Sequence, residues 1–334
     1  MSRLSSEKQF SLKKFFFQWE WGLVILFILI NIINSIMSPN YFVVSKLLTI
    51  TRSFLDKSFI MFPMCMLLLM GEIDISVASI VALSSTIMAV THQWAGLPMG
   101  VAMLICVVVA TICGMFNGFL LTTFHELPPM IVTFFGQLLY RGVAEYMLKG
   151  IALSEYPKWF RVFGWDNFLG IPIMLWGFVV CAVIYYFVIH RSNFGRAVYA
   201  IGSNRIAAKY AGIAVEKTRF IVYTLTGFMA GITSIFLTSR TTSTRSDIAM
   251  GYELDVVAMV IVGGVSSAGG RGRLIGPIIS VFIIGFLRYG LGLANVDSQY
   301  LVAIIGALLV ISALIPNLLF ENAQKKKKTQ EAKK

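Results

Sequence analysis

Long apolar runs separated by short polar stretches extend from Trp21 to Phe320. A bilayer core of about 30 Å needs roughly 20 predominantly apolar helical residues. Ten segments approach that template: Trp21–Met37, Phe54–Met70, Ser76–Thr91, Met99–Phe124, Met130–Leu148, Ile171–Ile189, Phe220–Ser239, Val256–Ala268, Gly276–Leu293 and Tyr300–Phe320. The third and eighth are short or rich in Ser and Gly, as in broken or re-entrant helices, which a membrane tolerates only where protein buries their loose backbone groups. The pattern predicts an all-α polytopic membrane protein. It divides into an N-terminal segment 1–20, a transmembrane domain 21–320 with a long loop at 190–219, and a lysine-rich tail 321–334. The first run lacks a small-residue cleavage site of the Ala-x-Ala kind and is expected to remain as an anchor.

Composition supports this class. Of 334 residues, 57% are hydrophobic and only 13% charged, against about 25% charged in a soluble domain. The net charge of +12 could suggest nucleic acid, but the basic residues lie between apolar runs and form no single surface with interleaved aromatics. Membrane topology accounts for them better, because cytoplasmic loops retain excess Lys and Arg. With ten spans and both termini inside, eighteen of the 28 Lys and Arg fall on the cytoplasmic side, six of them in the 190–219 loop. An odd span count would place the lysine-rich tail outside. That tail is polar, expected to lack a fold of its own, and suited to anchoring topology against anionic lipid.

Catalytic chemistry finds no foothold. Cys65, Cys106, Cys113 and Cys181 lie in apolar stretches without Cys-x-x-Cys pairing, which indicates packing rather than a disulfide framework or zinc. His92, His125 and His190 sit near segment ends, where an interfacial role outweighs metal ligation. The glycine cluster Gly263–Gly272 lacks the lysine of a phosphate loop and reads as a tight interfacial turn. No Gly-x-Ser-x-Gly elbow, His-Glu-x-x-His motif or carboxylate dyad occurs. No catalytic residue, metal or cofactor is expected on this chain.

A weak repeat is present. Glu72-Ile73-Asp74 precedes the third segment and Glu253-Leu254-Asp255 the eighth. The two are five spans apart, so they face opposite sides, as in two five-helix halves of inverted topology. Glu72, Asp74, Glu253 and Asp255 could cap helix N-termini, or act as gating or solute-contacting acids. In the fifth segment Thr133, Gln137, Arg141 and Glu145 form one helical stripe, beside Phe134, Phe135 and Tyr140. With Asn117, Thr133 and Gln137 could line a path for a polyhydroxylated solute. The stripe could equally be glue between helices, including an Arg141–Glu145 pair. Asn117, in Gly114-Met115-Phe116-Asn117-Gly118, and Arg288 are further polar candidates, with small residues there serving close helix packing.

The 190–219 loop is the most informative stretch. Ser203 or Asn204 can cap a short Ala-rich helix that Gly212 ends, giving either a surface turn or a rigid docking element. In combination, Gly71-Glu72-Ile73-Asp74-Ile75-Ser76-Val77, Asn193-Phe194-Gly195-Arg196-Ala197-Val198-Tyr199-Ala200-Ile201-Gly202-Ser203-Asn204, Ala207-Ala208 with Gly212-Ile213, and Gly251-Tyr252-Glu253-Leu254-Asp255 followed by Gly263-Gly264 resemble the ribose-type sugar ABC transporter permeases, over about residues 20–318. Thr244-Arg245-Ser246-Asp247 and Gly251-Tyr252-Glu253-Leu254 look closest to rhamnose-type or autoinducer-2-type members. Glu72 departs from the family, where many relatives carry a second glycine.

The resemblance implies a bacterial plasma-membrane importer subunit. It implies three partners: a second permease subunit, identical or related; a cytoplasmic ATPase carrying ATP and Mg; and an extracytoplasmic solute-binding protein. It implies that Gly202, Ser203, Asn204, Ala207, Ala208 and Gly212 form the element contacting the ATPase. The solute would be a small sugar or sugar-like molecule. The rival reading is an ion-coupled secondary carrier using the intramembrane carboxylates.

Overall fold

The computed structural model describes residues 19–38 and 41–297, together with 300, 303, 304, 306–308, 310 and 314. The N-terminal segment up to residue 18, most of the tenth apolar segment and the lysine-rich tail lie outside the described residues.

The described chain is helical almost throughout. The helices are α1 (Trp19–Met37), α2 (Val44–Ile50), α3 (Arg52–Leu69), α4 (Val77–Gln93), α5 (Met99–Thr123), α6 (Pro129–Leu148), α7 (Val162–Trp165), α8 (Ile173–Arg191), α9 (Asn193–Ser203), α10 (Arg205–Tyr210), α11 (Val215–Thr241), α12 (Tyr252–Val262) and α13 (Ile275–Leu293). Five of them, α1, α5, α8, α11 and α13, are both long and apolar enough to cross a membrane. The polar stripe of α6 and the Arg52, Asp56 and Lys57 charges of α3 distinguish those helices from the five. Among the shorter ones, α4 is a continuous helix of 17 residues. By contrast α12 has 11 residues, about 16 Å at 1.5 Å per residue, and ends well before the predicted Ala268. Gly263-Gly264 stops it, with Gly264 at φ 84°, a conformation that costs glycine little.

Helix α3 occupies the centre. Every residue from Phe54 to Leu69 is buried, enclosed by α8, α11, α12 and α13. Helix α1 instead buries only Leu23, Ile30 and Asn34, on α13, where the Asn34 amide donates to the Phe286 carbonyl at 3.0 Å. Its remaining apolar surface, including Ile25, Ile28, Ile32 and Ile36, is exposed, as a lipid-facing helix requires.

The broadest helix contact is between α5 and α11. It is a small-residue seam: a Cβ on Gly114 would lie 2.4 Å from the Tyr223 carbonyl oxygen, and one on Gly227 2.3 Å from that of Ala110. Backbones that close gain dispersion contact, which drives helix association in lipid. Ser84 of α4 and Ser234 of α11 add a buried hydroxyl pair at 2.7 Å.

The connections fall at two ends of the bundle. At one end lie residues 70–76, 124–128, 192–214 and 263–274, tied by Gly270 N–H to the Leu69 carbonyl (2.7 Å) and by the Tyr199 hydroxyl to the Gly272 carbonyl (2.7 Å). At the other lie residues 149–172 and 242–251, joined by the Leu153–Thr244 bridge and by Gly164 N–H to Ser239 Oγ (2.8 Å). A small hairpin there pairs β1 (Asn167–Phe168) with β2 (Ile171–Pro172). Leu169 and Gly170, at φ 54° and 78°, form the two left-handed positions its tight turn requires.

Candidate functional site

The long loop folds as two short helices at a corner of the bundle. Ser192 Oγ accepts from Gly195 N–H at 3.0 Å and starts α9. Asn204 Oδ1 accepts from Ala207 N–H at 2.9 Å and starts α10. Helix α10 then ends on Gly212, at φ 80°: Gly212 N–H bonds the Lys209 carbonyl (3.1 Å) and Ile213 N–H bonds that of Ala208 (3.0 Å). This is the paired closure favoured when glycine follows a helix. Of the six predicted contact residues, Ala208 is buried and Gly202 half-buried, whereas Ser203, Asn204, Ala207 and Gly212 are exposed on the loop.

Gly202 lies against the body, where an added Cβ would come within 1.7 Å of the Leu69 carbonyl oxygen. Ser203 Oγ donates back to the Tyr199 carbonyl at 2.9 Å, and burial pushes the Tyr199 hydroxyl up to about 12. Ala208 is buried, whereas Ile206 and Tyr210 on the same helix are 71% and 89% exposed. Ala208 faces inward and supports the element; Ile206 and Tyr210 present its surface. Neither stands among the sequence-predicted contact residues, although an apolar and an aromatic residue four apart on a short loop helix were the available signal. Beside them opens a cleft of about 550 Å³ lined by His125, Arg205, Ile206, Lys209, Tyr210, Val215 and Glu216.

Behind the loop the polar residues form a continuous network. Arg205 Nη2 donates to Glu216 Oε1 (2.9 Å), and Arg219 Nη1 to Glu216 Oε2 (3.1 Å). The buried Arg219 also donates through Nε to Glu72 Oε1 (2.6 Å) and through Nη1 to the Leu121 carbonyl (2.8 Å). Tyr223 OH donates to the second Glu72 oxygen at 3.0 Å. Glu72 is thus an ion-pair partner of α11. Asp74 does the local work at the entry to α4: its Oδ1 accepts from the backbone N–H and the hydroxyl of Ser76, at 2.9 and 2.6 Å, while its buried Oδ2 has no partner.

The second acidic motif behaves differently. Asp255 is paired with Lys57 of α3 and Arg288 of α13, and Glu253 keeps one buried oxygen without a partner. Next to them Asp56 Oδ2 accepts from Arg240 Nη2 (2.8 Å) and Tyr252 OH (3.1 Å). Adjacent residues of α3 thereby reach α11 and α12. Charges within apolar helices need such partners. Asp56, Lys57, Arg219 and Arg240 were visible as charges in or beside apolar windows, but their pairing was not.

The candidate path residues divide. Asn117 is fully buried, donates to Ser76 Oγ (2.8 Å) and accepts from Tyr140 OH (2.7 Å), so it joins α4, α5 and α6. Thr133 is also buried and donates to the Pro129 carbonyl at 3.0 Å. Gln137 is half-buried. Arg141, further along the stripe, donates to the carbonyls of Ser246 (2.6 Å) and Ile248 (3.0 Å), fastening α6 to the 242–251 loop. Among the described residues no group of three or more His, Cys, Asp or Glu could hold a metal ion.

Residues 47–313 match the family described as "Branched-chain amino acid transport system / permease component". The chain is similar to "Autoinducer 2 import system permease protein LsrD" of Photorhabdus temperata, 31% identical over 303 residues that cover 89% of this chain and 90% of the relative. It is likewise similar to the protein of that name from Salmonella typhimurium (strain LT2), 30% identical over 302 residues, 88% and 90% of the two chains. No solved structure matches.

Proposed function

Because the chain belongs to the branched-chain amino acid transport system / permease component family of ATP-binding-cassette importers, we propose that it passes a small sugar-like solute, of the ribose, rhamnose or autoinducer-2 class, into the cell as one of two paired permease subunits. The protein is a transport subunit rather than an enzyme, a multi-pass inner-membrane protein whose family works with an ATPase and a substrate-binding protein. The solute class is supported by relatives named for autoinducer-2 import, which span nine-tenths of their own length on this chain.

In this reading the chain has ten spans in two inverted halves with both termini cytoplasmic. The packing supports it. α4 lies against α5 and α11, while α12 lies against α13 and α3, so each motif-bearing helix packs on its own half's next span and on an early span of the other half. ATP and Mg bind the partner ATPase.

One observation carries the assignment of the contact element: Ile206 and Tyr210 project from α10 while Ala208 on the same helix is buried, and the preceding α9 is seated on the body through Gly202. The ATPase grips this face and biases the permease between outward- and inward-facing states. It must contact the two states differently, since equal affinity shifts neither. Gln137 is left as the stripe residue with access to a passing solute; Asn117 joins the adjacent helices, and the Thr133 hydroxyl is spent on its own helix.

The test is uptake of labelled ribose, rhamnose and autoinducer-2 by vesicles carrying this chain with its ATPase and loaded binding protein. ATP-dependent uptake of at least one, abolished without the ATPase, supports the proposal. Uptake by this chain alone, driven by an ion gradient and indifferent to ATP, would overturn it.

A further inference from the structure

The proposed contact loop must act on spans it does not belong to. Between α10 and the entry of α4 runs one unbroken series of charge-assisted hydrogen bonds. Arg205 of α10 holds Glu216, Glu216 holds Arg219, and Arg219 holds Glu72. Exposure falls along the series: the side chains of Arg205 and Glu216 are 43% and 33% exposed, those of Arg219 and Glu72 only 2% and 8%. The outer members are placed to sense a bound protein, and the inner members are held in a dry site where charge-assisted bonds are strong and directional.

Arg219 is the branch point. Its guanidinium joins α11, in which it sits, to the residue that leads into α4 and to the last turn of α5 through Leu121. Its planar fork of donors suits several simultaneous acceptors, which the point charge of lysine does not. Glu72 in turn has both oxygens occupied, by Arg219 and Tyr223, and stands two residues before Asp74, which fixes the first turn of α4. A shift of α10 therefore reaches α4 through Glu216, Arg219 and Glu72.

We infer that Arg219 and Glu72 are positioning residues that convey displacement of the α10 loop to the N-terminal turn of α4, an inference that rests on the reading of α10 as the ATPase contact. It also gives Glu72 a purpose at a position where a glycine would offer no charge.

The test compares amide hydrogen exchange in the complex of this chain with its ATPase in nanodiscs, with and without ATP, Mg and vanadate. Wild type, Glu72→Gln and Arg219→Lys are compared. In wild type, nucleotide is expected to change exchange in two regions, 202–214 and 71–80. In both variants the change at 202–214 persists, and the change at 71–80 falls about tenfold, within the range of ordinary coupling energies. Equal responses at 71–80 in wild type and variants would overturn the assignment, because coupling then runs elsewhere. So would a wild-type response confined to 202–214. Failure of both conservative variants to assemble would reduce the pair to a folding element and also overturn it. A different outcome, no response at 202–214 even in wild type, would remove the contact reading on which the inference stands.

Discussion

Gly202 meets the carbonyl of Leu69 so closely that a Cβ would lie 1.7 Å from the oxygen. The obstacle is backbone at the end of the central helix, so it cannot rotate away. The 190–219 loop is seated on α3 through this contact. Gly202→Val is expected to cost about 1–3 kcal/mol, the usual penalty of overpacking, and to shift the loop. Thermal unfolding of the purified chain and recovery of the ATPase in pull-downs both report it. Wild-type values in both would show that the contact is dispensable.

The Lys57–Asp255 pair lies inside the bundle with side chains 5% and 12% exposed. Breaking a buried pair from one side leaves an uncompensated charge, at about 3–5 kcal/mol. Asp255→Asn strands the buried Lys57 and should lower the thermal midpoint strongly, whereas Lys57→Met should cost less, because Arg288 still pairs with Asp255. The double variant should cost less than the sum of the two by about 0.5–3 kcal/mol, as for residues in direct contact. Strict additivity would mean that the two charges do not interact.

Asn117 and Gln137 are expected to respond oppositely to the same replacement. Asn117→Leu leaves the Tyr140 hydroxyl only its longer bond to the Cys113 carbonyl and removes a donor from Ser76, a loss of about 0.5–1.5 kcal/mol for each buried hydrogen bond, and recovery of folded protein should fall. Gln137→Leu should leave folding and assembly intact while uptake falls. Loss of assembly with Gln137→Leu would assign the stripe to packing alone.

Much of this architecture was legible from hydrophobic runs, because lipid imposes length and apolarity on each helix. α5, α8 and α13 follow the predicted segments closely, whereas α11 begins at Val215, five residues before the predicted Phe220. The eighth was overextended to Ala268, since Val265 and Ala268 read as apolar while the backbone turns at Gly263-Gly264. The acidic motifs were found, but not their partners: periodicity does not tell which helices face each other, so Arg219 counted only as one positive charge near the membrane. In the loop the matched Ala207 stays exposed, while Gly202 and Ala208 are small residues that permit close packing. Such residues stand out in a motif for what they permit, and the exposed Ile206 and Tyr210 between and after them drew no notice.

The most direct measurement is recovery of the cytoplasmic ATPase with membrane-inserted Ile206→Glu/Tyr210→Glu permease. Both residues are exposed, so thermal stability should stay within about 0.5 kcal/mol of wild type, as for other surface changes. ATPase recovery and ATP-driven uptake should fall by at least about tenfold, equivalent to ~1.4 kcal/mol of binding. Undiminished ATPase recovery and uptake with this double variant would contradict the assignment of α10 as the contact element.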